Sequence, residues 1–307
     1  MSGTKEIKNR LKSVRETQKI TNAMYLIASA KMRKAKEELD RTRPFFNAMG
    51  GEIKRIFRTV ETVEHRYFYP PSGEHDLPGA YGYLVITADK GLAGAYNQNV
   101  IKAAMRLMSE HEDTKLFVVG EYGRQYFMRH HIPIEQSFLY TAQNPTMQRA
   151  REIAGRLLEL YDKGELVKIF VVYTDMQSAL GAKECSFRLL PFHRAQFTAG
   201  VGTDNTPTAP IEMIPSVGAL LDSIVPSYVA GYIYSVLVDS FCSEQQARMA
   251  AMDSANRNAE NLIRELTAKY NHVRQSAITQ EITEISAGAK QQRESRLRRQ
   301  PKGGFDS

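Results

Sequence analysis

The sequence predicts an α+β/α fold: a long antiparallel coiled coil of the N- and C-terminal helices, with an α/β domain inserted between them. Two observations carry this. Apolar residues recur at intervals of three and four along both ends of the chain, over lengths no ordinary core helix reaches, and the middle switches to short apolar segments alternating with helical patterns.

The N-terminal segment, residues 1–60, places apolar residues at 7, 11 and 14, then 20, 24 and 27, then 28, 32, 35 and 39, then 46, 49, 53, 56 and 60. That is the stripe of an amphipathic helix whose phase drifts. Only Pro44, in "RTRPFF", interrupts it, and a kink or a fresh helix start is expected there. A continuous helix of this length would run about 85 Å, against roughly 30 Å for the width of a small domain.

The C-terminal segment, 213–290, repeats the pattern from Val217, Leu220, Leu221, Ile224 and Val225 through Ala259, Leu262, Leu266, Val273 and Ile278 to Ile282 and Ile285. Pro226 and Gly231 predict a kink near its start. Two such stripes bury each other most simply as an antiparallel pair. If the chain ends meet at one tip, Ile20 lies opposite Val273. Residues 291–307 are a basic tail with almost nothing to bury, expected to be disordered or to rest on an acidic surface.

Between the ends, 78–212 reads as an inserted, Rossmann-like α/β domain. The strands are "GYLVIT", "KLFVVG", "KIFVVYT" and "SFRLLPF", with helical patterns near 95–110, 121–130 and 146–163. This alternation implies a mostly parallel sheet with helices on its faces. Its joints, "YPPSGEHDLPGAYG" and "TAGVGTDNTPTAP", have loop composition.

Charge and cysteine content narrow the function classes. The net charge is +7, and residues 1–43 hold all of the excess, with 12 Lys and Arg against 5 Asp and Glu. A local basic face of this kind suits an acidic protein or a nucleic acid, or is simply solvated. Cys185 and Cys242 form no CxxC, so neither a disulfide framework nor a zinc knuckle is expected, and a reducing, cytoplasmic setting is. The runs "YLVI", "LFVV" and "IFVVY" are too short to span a bilayer, so any membrane role is expected to be peripheral.

The turn "DKGLAGAYN" follows the first strand and resembles a phosphate loop in outline only. It offers Gly91 and Gly94 but no G-x-G-x-x-G, no following lysine and no magnesium-binding Ser or Thr. A tight strand-to-helix turn is expected, with no cofactor. The adjacent His130 and His131 diverge on a helix and cannot chelate one ion, and no HExxH or GxSxG occurs. Cys242 suits a small buried thiol. No aromatic residues interleave with Lys5, Lys8, Arg10, Lys12, Arg15 and Lys19, so no nucleic-acid partner is expected. A nucleotide-binding α/β enzyme or a nucleic-acid adaptor with coiled-coil arms stays open as an alternative on these residues alone.

The two end segments also carry a resemblance. "KEIKNRLKSVRETQKITNAMYLIASAKMRKAKEEL" and "SEQQARMAAMDSANRNAENLIRELTAKYNHVRQSAITQEITEISAGA" resemble the terminal helices of the gamma subunits of F-type ATP synthases of bacterial type, and "TADKGLAGAYN" resembles the first strand and turn of their globular domain. The resemblance implies a non-catalytic rotor shaft turning inside a hexamer of α and β subunits, with the membrane c-ring and the epsilon subunit as further partners, at the cytoplasmic face of the cell membrane. It implies that Met24 faces a lever of the β subunit, that Glu244 and Arg248 form a polar pair used in coupling, and that Arg274, Gln275 and Thr279 engage a catch loop of β. Ala93 stands where "GLCG" is frequent, 195–212 lacks the paired cysteines of the light-regulated plastid form, and the last eighteen residues run past the usual family end.

Overall fold

A computed structural model describes residues 2–60, 64–69, 79–139, 142–175, 183–198 and 216–298. Most of both joints and the end of the tail, 299–307, lie outside the described residues. The elements run α1 (Ser2–Thr59), β1 (Tyr81–Ile86), α2 (Tyr96–Met108), β2 (Thr114–Val119), α3 (Glu121–Arg129), β3 (Gln136–Phe138), α4 (Met147–Asp162), β4 (Lys168–Asp175), β5 (Lys183–Leu190), α5 (Arg194–Thr198) and α6 (Val217–Arg298). The chain forms two compact units, Tyr25–Ala251, and Met1–Met24 with Met252–Ser307.

In the first of these units the strands form one sheet in the order β3-β2-β1-β4-β5. β1 is central and parallel to both neighbours, with Tyr81 opposite Thr114 on β2 and Lys168 on β4. β5 runs antiparallel to β4, with a register irregularity at Ile169/Phe170. Every residue of β1 is buried, which is why "YGYLVI" is continuously apolar rather than alternating. The pleat divides its side chains between two cores. Leu84 and Ile86 join Phe117, Val119, Ile169 and Val171 under Ile53, Ile56 and Phe57 of α1, Ile153 and Leu157 of α4, and Val225, Val229 and Ile233 of α6. Tyr81, Tyr83 and Val85 join Leu116 and Val118 under Val100, Ile101 and Ala104 of α2 and Phe127 of α3. The short β3 pairs with β2 through Phe117↔Gln136 and has no signal in the sequence, since "QSF" is too brief for any period.

Both prolines lie inside helices that neither ends. The cost of the missing hydrogen bond is met by burial on either side: Leu39 and Ile53 flank Pro44, and Val225 and Val229 flank Pro226, all at 4% exposure or less. Among the described residues α6 is the one helix long and apolar enough over one window to cross a membrane, a length the separate strand-like runs do not suggest. More than half of that window is buried inside the protein, so its apolar character has a use as core. Gly231 makes this packing possible, because a Cβ there would collide with Cδ1 of Phe46 on α1.

In the other unit the N-terminal part of α1 runs antiparallel to α6. Gln18 Nε2 donates to Glu260 Oε1 at 3.4 Å, and Thr21 Oγ1 donates to Asn256 Oδ1. Leu11, Ala259 and Leu266 are buried here. The expected pairing of Ile20 with Val273 is wrong: Ile20 is 61% exposed, and the register sets it near residue 257. Followed from Thr21 back to Ser2, the same register ends near residue 275, so Ser2 does not lie opposite the described end of α6 at Arg298. The described part of α6 continues to Arg298, roughly 35 Å further. Residues 274–293 are exposed throughout. The basic tail is helical through Arg298, so its first residues depart from the disorder that their composition predicts.

The packing has two measurable consequences. A cysteine pair replacing Thr21 and Asn256 will form an intrachain disulfide under mild oxidation, whereas a pair at Ile20 and Val273 will not, as mobility on non-reducing gels will show. Gly231→Ala will lower the unfolding free energy of the chain by about 1–3 kcal/mol, read from denaturant melts, because the Phe46 ring must leave its place.

Candidate functional site

The turn after β1 is fixed from three sides. Thr87 Oγ1 donates to Val119 O at 2.9 Å and accepts from Gly123 N at 3.0 Å. Ala88 N donates to Asn97 Oδ1 at 2.9 Å, and Tyr122 N donates to Ala88 O at 3.1 Å. Asp89 Oδ1 accepts from Glu121 N at 2.9 Å, at the first turn of α3. This close approach needs glycine at 120, where φ is +96° and a Cβ would collide with Thr87 O.

The third side is α6. Tyr96, buried at the start of α2, places its hydroxyl 2.7 Å from Ser240 Oγ and donates to Ser240 O at 3.1 Å. Burial, reinforced by the charge of Glu244, holds that phenol well above its usual range. One turn along, Arg248 Nη1 pairs with Glu244 Oε1 at 2.5 Å, the two side chains 11% and 7% exposed. Arg248 Nη2 donates to Gly91 O at 3.1 Å and Lys90 O at 3.4 Å. The turn therefore presents carbonyl oxygens to a cation, whereas a phosphate cradle presents N–H groups. Leu92 and Gly94 take left-handed backbone, with φ of +63° and +56°. Burial raises the Glu244 carboxyl above the usual range; Arg248 and Lys31 oppose the shift and Asp89 adds to it.

The other residues singled out in the sequence lie apart from this pair. Met24 is half-buried on α1, in a segment where Ile20, Tyr25, Leu26 and Ile27 are exposed. Arg274, Gln275 and Thr279 are exposed on α6. Gln275 and Thr279 share a shallow polar groove with His272, Ser276, Gln280 and Thr283, and Arg274 does not line it. Ile278, Ile282 and Ile285 on the same stretch are 47%, 60% and 67% exposed. His130 and His131 are exposed, with His130 stacked on Tyr126. Cys242 is buried, 3.9 Å from Met32 O, and burial pushes its thiol up to about 11, which leaves it unreactive. No group of three metal-ligating side chains occurs among the described residues. Sequence reasoning missed Asp89, Tyr96 and Ser240; the D-K-G turn was visible, but nothing local showed that α6 would cross it.

Long helices at both ends of the chain, a doubly wound sheet between them and a buried ion pair spent on helix-to-turn packing define an α/β protein built on helical arms. Residues 3–291 match the family model described as ATP synthase. The chain is 42% identical over 294 residues to the ATP synthase gamma chain of Caldanaerobacter subterraneus subsp. tengcongensis, covering 94% of this chain and 99% of that one. It is 37% identical to the gamma chain of Acetivibrio thermocellus over 94% and 99% of the two chains. Among solved structures it is similar to a chain of the Euglena gracilis mitochondrial ATP synthase OSCP/F1/c-ring assembly, with a TM-score of 0.64, 14% identity and 99% of both chains covered. A central stalk/c-ring structure from Tetrahymena thermophila has a TM-score of 0.54, 23% identity and covers 77% of this chain and 99% of that one. The chain belongs to the ATP synthase gamma-chain family.

One titration near the pair is open to measurement. Burial, reinforced by Asp175 and opposed by Arg43 and Lys36, pushes the Asp239 carboxyl up to about 6. Because the folded value exceeds the unfolded one of about 4, this group's contribution to stability is complete below about pH 4 and lost as pH rises through about 6. Asp239→Asn will therefore stabilise the purified chain at pH 7.5 by about 1–2 kcal/mol, allowing for solvent screening, and leave it unchanged near pH 4, as thermal melts at the two pH values will show.

Proposed function

We propose that this chain is the rotating shaft itself: a non-catalytic subunit that carries torque between a membrane c-ring and the catalytic β subunits, so that ion flow drives ATP synthesis or ATP hydrolysis drives ions. One observation supports this most directly. In the unit that contains its end, α6 outruns its antiparallel partner, and residues 274–293 are exposed on every side while still bearing Ile278, Ile282 and Ile285. A monomer gains nothing from an apolar helix in water; a sleeve of other subunits covers it. The α and β subunits of a hexamer are that sleeve in this reading, with epsilon against the sheet-bearing unit and the complex at the cytoplasmic face of the cell membrane.

The candidate residues take distinct roles. Met24, beside the exposed Tyr25, Leu26 and Ile27, meets the β lever, and Lys and Arg on α1 suit acidic loops there. Gln275 and Thr279 offer hydrogen bonds to a catch loop, with Arg274 beside them. Glu244 and Arg248 hold α6 against the turn after β1, so that force on the shaft reaches the sheet-bearing unit without slip. A nucleotide-binding role for this chain is disfavoured, because the carbonyls of Lys90 and Gly91 accept from Arg248 where phosphate would need donors.

The test is reconstitution with α, β and epsilon subunits. Gln275→Ala and Thr279→Ala are expected to leave assembly intact and lower ATP turnover by about fivefold or more, the scale of one or two lost hydrogen bonds at a coupling contact. Wild-type turnover in both variants would remove the catch-loop assignment, and failure of the chain to join α and β at all would remove the shaft reading.

A further inference from the structure

The pairing of Arg248 leaves an unexplained remainder next to it. Asp89 Oδ1 is held by Glu121 N, but Asp89 Oδ2 is buried and has no hydrogen-bond partner among the described residues. A carboxylate oxygen sealed from water without a donor is uncommon and calls for a physical account. A supply of donors lies along the same turn: the Arg248 guanidinium reaches the carbonyls of Lys90 and Gly91, the two residues that follow Asp89. Its fork is divided: Nη1 is tight on Glu244 at 2.5 Å, while the Nη2 contacts, at 3.1 and 3.4 Å, are long for bonds from a cation. Asp89 also lies close enough to Glu244 for its charge to act on that carboxyl. Glu244 thus holds the guanidinium, while the half-buried Asp89, its Oδ2 sealed and unpaired, begins the turn that the same guanidinium reaches.

We propose that Asp89 is the alternative acceptor for Arg248, so that the guanidinium passes between Glu244 on α6 and the Asp89–Gly91 turn as load on the helix changes. Asp89 is then a positioning residue for the coupling pair. In the arrangement seen here α6 holds its own cation and grips the turn only through carbonyls. In the other, Arg248 forms an ion pair across the two elements and frees Glu244, whose burial favours the neutral carboxyl once its partner has gone. Because Asp89 also caps α3, either state is transmitted to the C-terminal ends of β1 and β2 without movement of the sheet.

This inference rests on the coupling role assigned to Glu244 and Arg248, and two measurements on the assembled complex separate the two ideas. The first is a cryo-EM map of the complex carrying Glu244→Gln. With its competitor neutralised, Arg248 is expected within about 3 Å of Asp89 Oδ2; a guanidinium that stays on the substituted carboxamide or turns to solvent overturns the proposal, whatever the activity. The second is ATP-driven pumping of the coupled ion, proton or sodium, per ATP hydrolysed in membrane vesicles. Asp89→Asn, which keeps the capping oxygen for Glu121 N and loses the charge, is expected to lower this ratio by about fivefold or more, and to add nothing further in an Arg248→Ala background. Independent, multiplying losses would overturn the exchange. Unchanged pumping in Arg248→Ala alone would instead remove the coupling role of the pair, and the map would still decide where Arg248 goes.

Discussion

The structure of the larger unit depends on one apolar face, that of α6 between Leu221 and Cys242. Leu221, Val225, Val229, Ile233, Val236 and Leu237 are all buried at 3% exposure or less, and they lie in the same core as Leu84, Ile86, Val171 and Ile53. One helix therefore seals one side of a sheet and binds α1 at the same time. This accounts for a composition that would suit a membrane span, for the acceptance of Pro226 in mid-helix, and for glycine at 231, where the ring of Phe46 occupies the space of a side chain.

Packing so tight next to a polar turn constrains the next stretch of the helix. Beyond Cys242 the buried positions are Ser243, Glu244 and Gln245, and polar groups there must find partners or remain costly. The i, i+4 spacing gives Glu244 its partner in Arg248, which in turn donates to the carbonyls of Lys90 and Gly91, while Ser243 Oγ has no partner among the described residues. A buried ion pair of this kind adds little net stability, because desolvation cancels most of the attraction. It does fix the position of α6 against the turn.

In the doubly wound sheet, α6 meets the loop at the place where this topology most often seats a ligand. In such sheets ligands settle beyond the carboxyl ends of the strands, where the strand order reverses, here between β1 and β4. In this chain Tyr96 reaches Ser240 and Arg248 reaches the turn, so α6 is joined to the loop that would line that crevice. The same loop geometry that elsewhere receives a phosphate here receives a helix.

The stripes at intervals of three and four and the continuous "YGYLVI" were legible in the sequence, because period and burial on two faces are local properties. Glu244 and Arg248 were singled out through the resemblance carried by "SEQQARM", and the structure places them in contact one helical turn apart. Register was not legible. A stripe says that a helix has a partner but not how far along the partner it sits, and the true offset, fixed by Gln18 with Glu260 and Thr21 with Asn256, differs from a simple joining of the ends by about four turns. Nor could the sequence reveal β3, Tyr96 on Ser240, or the bare oxygen of Asp89. Those depend on residues between about twenty and 150 positions apart meeting in space, through the pairing of β3 with β2, the seating of α3 beside the turn and the packing of α6 across it.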